Sequence, residues 1–255
     1  MARKKLRIGF YGVTGCAGCQ LSVIFNEREI LRLFNLIDVS AFPFIKEKNI
    51  EGEFDYVFIE GLAACNDDVA VLKELRQKAK KVVALGACAC AGNIPAYRKY
   101  VSRKNYQHLI HEKTKRIQDV DPTPIDSHIA VDYFIPGCPP DKSEILKFIK
   151  EIVLGKEPRQ HESPVCFECK INKNPCLLDE GKMCLGPVTR GGCNSVCTNS
   201  GFECWGCRGI MQDADIKLMI KVLKGKGFSG REIKQRMRSF TGLKIPQLQF
   251  IGVKK

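Results

Sequence analysis

Eight of the chain's fourteen cysteines fall within the 42 residues from Cys166 to Cys207, and no other feature constrains the fold as much. They run Cys166-x2-Cys169-x6-Cys176-x7-Cys184, then Cys193-x3-Cys197-x6-Cys204-x2-Cys207, with no histidine between them. Strand patterning in that stretch is poor. It holds too little apolar surface to fold around a core of its own, so bound metal has to organise it. Sets of four thiolates suit zinc or an iron–sulfur cluster, and disulfides are the third alternative.

The start of the chain, Met-Ala-Arg-Lys-Lys-Leu, lacks the apolar region and small-residue cleavage site of a signal peptide, which predicts a cytoplasmic protein. Thiols stay reduced there, so metal ligation is the first reading of so many cysteines. No run approaches the roughly 18–20 uninterrupted apolar residues of a membrane helix, and no membrane span is expected. With 255 residues, 44% of them apolar and 27% charged, the chain is long enough for a sizeable core and is neither disordered nor collagen-like.

The other six cysteines, Cys16, Cys19, Cys65, Cys88, Cys90 and Cys138, are spread through a region of a different kind. Leu6–Tyr11, Ile37–Phe42, Phe54–Ile59, Lys81–Leu85 and Ile129–Ile135 read as short apolar strands. Helical patterns separate them: from about Ala17 to Phe34, with Leu21, Ile24, Phe25, Leu31 and Phe34 on one face; from a capped start at Asn66; and after Pro139-Pro140, with Ile145, Phe148, Ile149 and Ile152. This β-α-β order predicts an α/β fold with a doubly wound parallel sheet. In such sheets the functional crevice lies beyond the carboxyl ends of the strands. Cys16 and Cys19 follow the first strand, Cys88 the fourth and Cys138 the fifth, so the topology can bring four thiolates to one edge to hold an iron–sulfur cluster. Gly12, Gly15, Gly18, Gly86 and Gly137 allow the sharp turns and close approach that this needs. Cys65 and Cys90 read as small buried apolar residues. Glu60, ending the third strand, is a candidate for proton or hydrogen-bond work nearby, with an ordinary surface carboxylate as its alternative.

Three domains are therefore expected: 1–155, the α/β domain; 156–210, the cysteine-rich domain; and 211–255, a tail of short helices. In that tail Ile216, Met219, Ile220 and Leu223 lie at helical spacing, and Ser229-Gly-Arg-Glu232 is a capping box. Lys plus Arg number 41 against 28 Asp plus Glu, a formal charge of +13. That excess suits an acidic electron-transfer partner or a well-solvated surface. The basic run from Arg98 to Arg116, with Tyr97, Tyr100 and Tyr106, accompanies no recognised nucleic-acid module, and reads as a solvated insertion.

Four segments, Thr14-Gly-Cys-Ala-Gly-Cys-Gln20, Gly86-Ala-Cys-Ala89, Pro136-Gly-Cys-Pro-Pro140 and Cys184-Leu-Gly-Pro-Val-Thr189, resemble the small subunit of [NiFe] hydrogenases, in particular the cytoplasmic archaeal group that includes the delta subunit of sulfhydrogenase. The resemblance runs from about Leu6 to Arg208. It implies a flavodoxin-like domain, a cysteine-rich iron–sulfur domain and short carboxyl-terminal helices. It implies proximal ligands Cys16, Cys19, Cys88 and Cys138. Distal ligands would be Cys169, Cys176 and Cys184, with Cys166 where many relatives have His; medial ligands would be Cys193, Cys204 and Cys207, with Cys197 as a fourth. Three all-cysteine [4Fe–4S] clusters follow, with potentials on the low side because each added thiolate adds charge.

Oxygen-tolerant relatives place extra cysteines at positions that are Gly18 and Asn93 here, so a conventional cubane is expected. Gly15 stands where many relatives carry an acidic residue, so no proton route is expected through that point. An adjacent Cys-Cys pair would mark the related quinone-oxidoreductase subunit, whereas Cys16 and Cys19 are two residues apart. The resemblance also implies partners: a large subunit holding the Ni–Fe site and a further iron–sulfur or flavin electron-transfer subunit. This chain shows no nickel-binding pair and no acid–base constellation, so no catalytic residue is expected in it. Other classes to weigh are a zinc-stabilised interaction module and a free-standing electron carrier.

Overall fold

The computed structural model describes residues 5–25, 29, 31, 32, 35–100, 119–245 and 248, and the chain divides into two units, Met1–Arg159 and Gln160–Lys255. In the first unit the strands are β1 (Leu6–Gly12), β2 (Ile37–Ala41), β3 (Phe54–Glu60), β4 (Ala63–Cys65), β5 (Ala79–Leu85), β6 (Asp119–Thr123) and β7 (Tyr133–Ile135). Five of them form one sheet in the order β2-β1-β3-β5-β7, parallel throughout. The expected α/β parallel sheet is what forms.

Successive strand residues point to opposite faces, and both faces are apolar. Ile8, Phe10, Phe58 and Val83 pack on one side, with Val23 from helix α1 (Gly18–Ile24); Val57, Ile59, Val82 and Ala84 pack on the other, against Leu72 and Leu75 of α2 (Asn66–Lys78). Short helix α3 (Gly86–Ala91) leaves β5 directly, and α4 (Lys142–Val153) lays Ile145, Phe148, Ile149 and Ile152 onto the first face. Asp141 caps α4, accepting from the backbone N–H of Ser143 at 2.9 Å and of Glu144 at 3.3 Å.

Register decides where the strand ends lie. Gly12 pairs with Glu60, Glu60 with Leu85 and Leu85 with Ile135, one row across the carboxyl edge of the sheet. β1 has β2 on one side and β3 on the other, so the chain reverses its direction of winding there, and the crevice of such sheets opens at that point.

Several expectations change. Within the helix expected to Phe34, α1 covers Gly18–Ile24, Glu29, Leu31 and Arg32 are helical again, and Phe34 lies outside the described residues; the buried residues of α1 are Cys19, Gln20, Ser22 and Val23, while Phe25 and Leu31 are exposed. The cause is the first turn: the buried Glu60 carboxylate accepts from the N–H groups of Cys19 and Gln20, which turns the 19/23 face to the sheet. The last strand shortens to Tyr133–Ile135 because the side chain of Asp132 takes the N–H of Val82 at 2.8 Å in place of a ladder partner. A small antiparallel pair, β4 with β6, has no signal in Ala63-Ala64-Cys65. Of the basic run, residues 101–116 lie outside the described residues.

The second unit has no strand among its described residues beyond isolated bridges such as Pro164 with Arg190 and Thr189 with Ile210. Helix α5 (Val165–Ile171) carries the first two cysteines of the crowded stretch. Met183, Leu185 and Val188 supply the apolar contacts of that stretch to α6 (Ile216–Gly225) and α7 (Gly230–Thr241), which bring Ile216, Met219, Leu223, Ile233 and Met237. The expected capping box is present: Ser229 accepts from Glu232 N–H at 3.2 Å, and Glu232 accepts from Ser229 N–H at 2.8 Å. Arg236 of α7 stacks on Trp205, 3.5 Å from the ring centre, and pairs with Glu203 at 3.2 Å. No helix among the described residues is long and apolar enough to cross a membrane.

Candidate metal centres

The row Gly12–Glu60–Leu85–Ile135 puts the segments that follow β1, β5 and β7 side by side, and these carry Cys16, Cys19, Cys88 and Cys138. Their thiols feel one another. Burial pushes Cys19 strongly up, and Glu60, Cys88 and Cys138 push the same way. Burial also raises Cys88, opposed by a hydrogen bond from Asn93 and reinforced by Cys138 and Cys16. Cys19 is buried, Cys88 half-buried, and Cys16 and Cys138 exposed, so the set opens at the surface of this unit.

Close approach depends on glycine. Gly86 has φ +90°, and a Cβ there would collide with Cys19 Sγ. Only a residue without a side chain lets β5 turn into α3 against that sulfur.

Around this set, carboxylates hold backbone rather than face solvent. Glu60, 2% exposed, accepts from Cys19 N–H at 3.2 Å and Gln20 N–H at 2.9 Å. Asp68 accepts from Thr14 Oγ1 at 2.8 Å, Thr14 N–H at 3.2 Å, Ala64 N–H at 2.9 Å and Cys65 N–H at 3.1 Å, fixing the loop before Cys16. Burial alone would raise Asp68, but these donors outweigh it and hold the carboxyl below its ordinary range. Cys65 is the N-cap of α2, its sulfur accepting from Asp68 N–H. The Cys90 thiol donates to the Ala84 carbonyl at 3.5 Å. Both are half-buried and bonded to backbone.

In the second unit Cys166 and Cys169 share a face of α5, three residues apart. Cys166 is pushed up to about 12 by burial and then by Cys184, Cys169 and Cys176, so the other three members of this set act on one thiol. Cys184, 6% exposed, is raised by burial against N–H donors from Gly186 and Cys204, the latter at 3.3 Å. A Cβ on Gly186 would lie 3.1 Å from Cys166 Sγ and 3.5 Å from Cys184 Sγ, filling the space between them.

In the remaining set the described contacts join Cys204 to Cys207. Cys193 meets other neighbours: burial raises it, the Arg208 guanidinium lowers it, and Glu168 raises it from 3.9 Å. Burial raises Cys197.

Two residues here escaped the sequence reading. Glu168 accepts from the N–H groups of Gly192 and, at 3.0 Å, Ser195, joining α5 to the loop of Cys193. Arg208 is 1% exposed and donates through Nε to the Gly191 carbonyl at 2.7 Å. Their only sequence signal is a charge set directly beside a cysteine.

None of the fourteen cysteines is in a disulfide. Among the described residues no group of three or more His, Cys, Asp or Glu side chains is arranged to hold a single metal ion. In the first two sets, thiols that act on one another, some buried and some approached by N–H donors, match the chemistry of iron–sulfur ligation, where sulfur is acceptor and anion; of the third set only Cys204 and Cys207 are so joined.

Residues 16–152 match the family model described as NADH ubiquinone oxidoreductase, 20 Kd subunit. The chain is 32% identical over 236 residues to sulfhydrogenase 2 subunit delta of Pyrococcus furiosus, covering 92% of this chain and 99% of that one. It is 30% identical over 276 residues to a vhu-type F420-non-reducing hydrogenase subunit of Methanocaldococcus jannaschii, covering 94% and 95%. Among solved structures, a chain of an NAD+-reducing [NiFe]-hydrogenase in the H2-reduced state superposes with a TM-score of 0.56 at 28% identity, over 61% of this chain and 95% of the other.

Proposed function

Because the chain belongs to the NADH ubiquinone oxidoreductase 20 Kd subunit family, and within it to the hydrogenase small subunits, we propose that it carries electrons between the Ni–Fe site of a large subunit and a further iron–sulfur or flavin subunit. Twelve cysteines hold three [4Fe–4S] clusters in this reading: Cys16, Cys19, Cys88 and Cys138; Cys166, Cys169, Cys176 and Cys184; and Cys193, Cys197, Cys204 and Cys207. A [4Fe–4S] cluster supplies one-electron transfer at a potential set by its ligands, their hydrogen bonds and burial. Residues 1–155 hold the first set, residues 156–210 the other two, and residues 211–255 form a helical tail whose α6 and α7 pack on Met183, Leu185 and Val188. Unbridged thiols in this number suit the cytoplasm, where they stay reduced.

The single observation that carries the proposal is the meeting of Cys16, Cys19, Cys88 and Cys138 beyond three different strand ends, with their thiols acting on one another. Glu60 holds the Cys19 turn in place, Asp68 holds the loop before Cys16, and Gly86 admits the Cys19 sulfur. The exposed pair, Cys16 and Cys138, faces the large subunit. The spacing of Cys16 and Cys19 favours the hydrogenase branch over the quinone branch, whose first motif is an adjacent pair.

The test is anaerobic purification of the complex followed by iron and acid-labile sulfide analysis and EPR. We expect a brown protein with four irons for each of three clusters. Cys19→Ala, Cys169→Ala and Cys204→Ala should each remove one distinct signal. A colourless zinc protein overturns the reading, and a high-potential [3Fe–4S] signal removes Cys197 from the ligands.

A further inference from the structure

One side chain other than cysteine spans two sulfurs of the first set. Asn93 follows α3 and is 4% exposed. Its Nδ2 donates to Cys88 Sγ at 3.3 Å and to Cys138 Sγ at 3.4 Å. Its Oδ1 is buried and has no hydrogen-bond partner among the described residues. The backbone at Asn93 is left-handed, φ +50°, a conformation that asparagine tolerates better than most residues.

A donor amide turned to both sulfurs suits sulfurs that act as acceptors. Leaving a buried carbonyl oxygen unpaired is costly, so turning the nitrogen rather than the oxygen to the sulfurs needs a return. Neutral thiols give little, because an S–H can equally donate to the amide oxygen. Thiolates change the balance: they carry no proton, can only accept, and form charge-assisted bonds about twice as strong as neutral ones. The two sulfurs come from different strand ends, after β5 and after β7, whose loops share the backbone hydrogen bond from Ala87 N–H to the Gly137 carbonyl at 2.7 Å, and the carboxamide adds a link between the side chains themselves.

We propose that Asn93 is a positioning residue of the first cluster, its carboxamide bridging Cys88 and Cys138 so that both ligands are held in register and the reduced state is favoured. This rests on the reading that Cys16, Cys19, Cys88 and Cys138 ligate a cluster. Hydrogen bonds to ligand sulfurs draw charge off them and raise the potential.

Two substitutions in the full complex test it. Asn93→Gly removes the amide and keeps the left-handed backbone unstrained. Asn93→Asp keeps the shape and replaces the donor by an anion. Cys88→Ala identifies the first cluster by the EPR signal it removes; should it remove none, the ligand reading itself fails, whatever Asn93 does. With that signal assigned, iron content is measured and the cluster is titrated against potential. Asn93→Gly should shift its reduced-to-oxidised ratio at fixed potential about tenfold towards oxidised, a potential lower by about 59 mV. Asn93→Asp should move it further the same way. Loss of the first cluster alone in both variants also supports the bridge. An unmoved potential at full iron content in both, or loss in Asn93→Gly with an unmoved potential in Asn93→Asp, overturns it, since the side chain then only fills space.

Discussion

In the first unit, apolar strands alternate their side chains onto two faces, and helices close both, so of Cys16, Cys19, Cys88 and Cys138 only Cys19 belongs to the core described there. In the second unit the cysteine-rich stretch lends Met183, Leu185 and Val188, with the half-buried Leu178, to the core beneath the two helices, while Val165 and Leu177 pack against Cys184 and Cys204 themselves. Its backbone is joined by single bridges, and by side chains such as Asn172 and Asn174, which both donate to Asn199 Oδ1. A sheet that folds by burial can offer a site at its edge; a stretch with little to bury depends on what its thiols bind.

The comparison breaks most visibly if iron is removed. Chelation under reducing conditions should abolish hydrogen-exchange protection over 166–207 while the β1, β3 and β5 amides stay protected. Simultaneous loss in both units would mean that the first also folds around its cluster. The converse perturbation is Phe58→Ala. Phe58 is fully buried, stacked on Phe10 at 4.8 Å and edge-on to Phe148 at 5.6 Å, and its truncation should cost about 3–5 kcal/mol in denaturant unfolding of the first unit. Signals of the second and third cysteine sets should be unchanged; if they vanish too, the units do not fold separately.

A smaller effect is expected where site and core meet. Glu60→Gln replaces an anionic acceptor at two N–H groups by a neutral one, and should cost about 1.5–3 kcal/mol, seen as lower iron occupancy of the first set alone. Full occupancy and unchanged stability would reduce Glu60 to an ordinary carboxylate. The smallest concerns Asp132. Burial would raise this carboxyl, but the Val82 N–H, Lys81 and Arg76 outweigh it and hold it below its ordinary range. Its stabilisation is therefore complete above the unfolded value, about pH 4, and is lost as pH falls through the lower folded value. Asp132→Asn should be less stable than the parent by about 1 kcal/mol at pH 7 and converge on it in acid. A difference that stays constant with pH would show that shape, not charge, matters at this position.

Much of this was legible in the chain. Strand alternation, capped helix starts at Asn66 and Ser229, and the crowding of eight cysteines are local patterns, and local patterns report local structure. The expected helix face differs at Phe25 and Leu31, which are exposed, because periodicity names a face without saying which side a buried acceptor will anchor; Glu60, forty residues from Gln20, decides that. The short last strand failed for a similar reason, a side chain standing in for a ladder partner.

By itself, then, the sequence determined an α/β sheet, a cysteine-rich companion, and the positions at strand ends from which thiols can meet, because backbone periodicity and turn chemistry act over a few residues. Only the tertiary structure decided that Asn93 spans two sulfurs, that Glu168 ties α5 to the Cys193 loop, and that Arg208 lies buried beside that cysteine. Those meetings depend on strand register and loop packing between residues up to tens of positions apart, and no spacing along the chain encodes them.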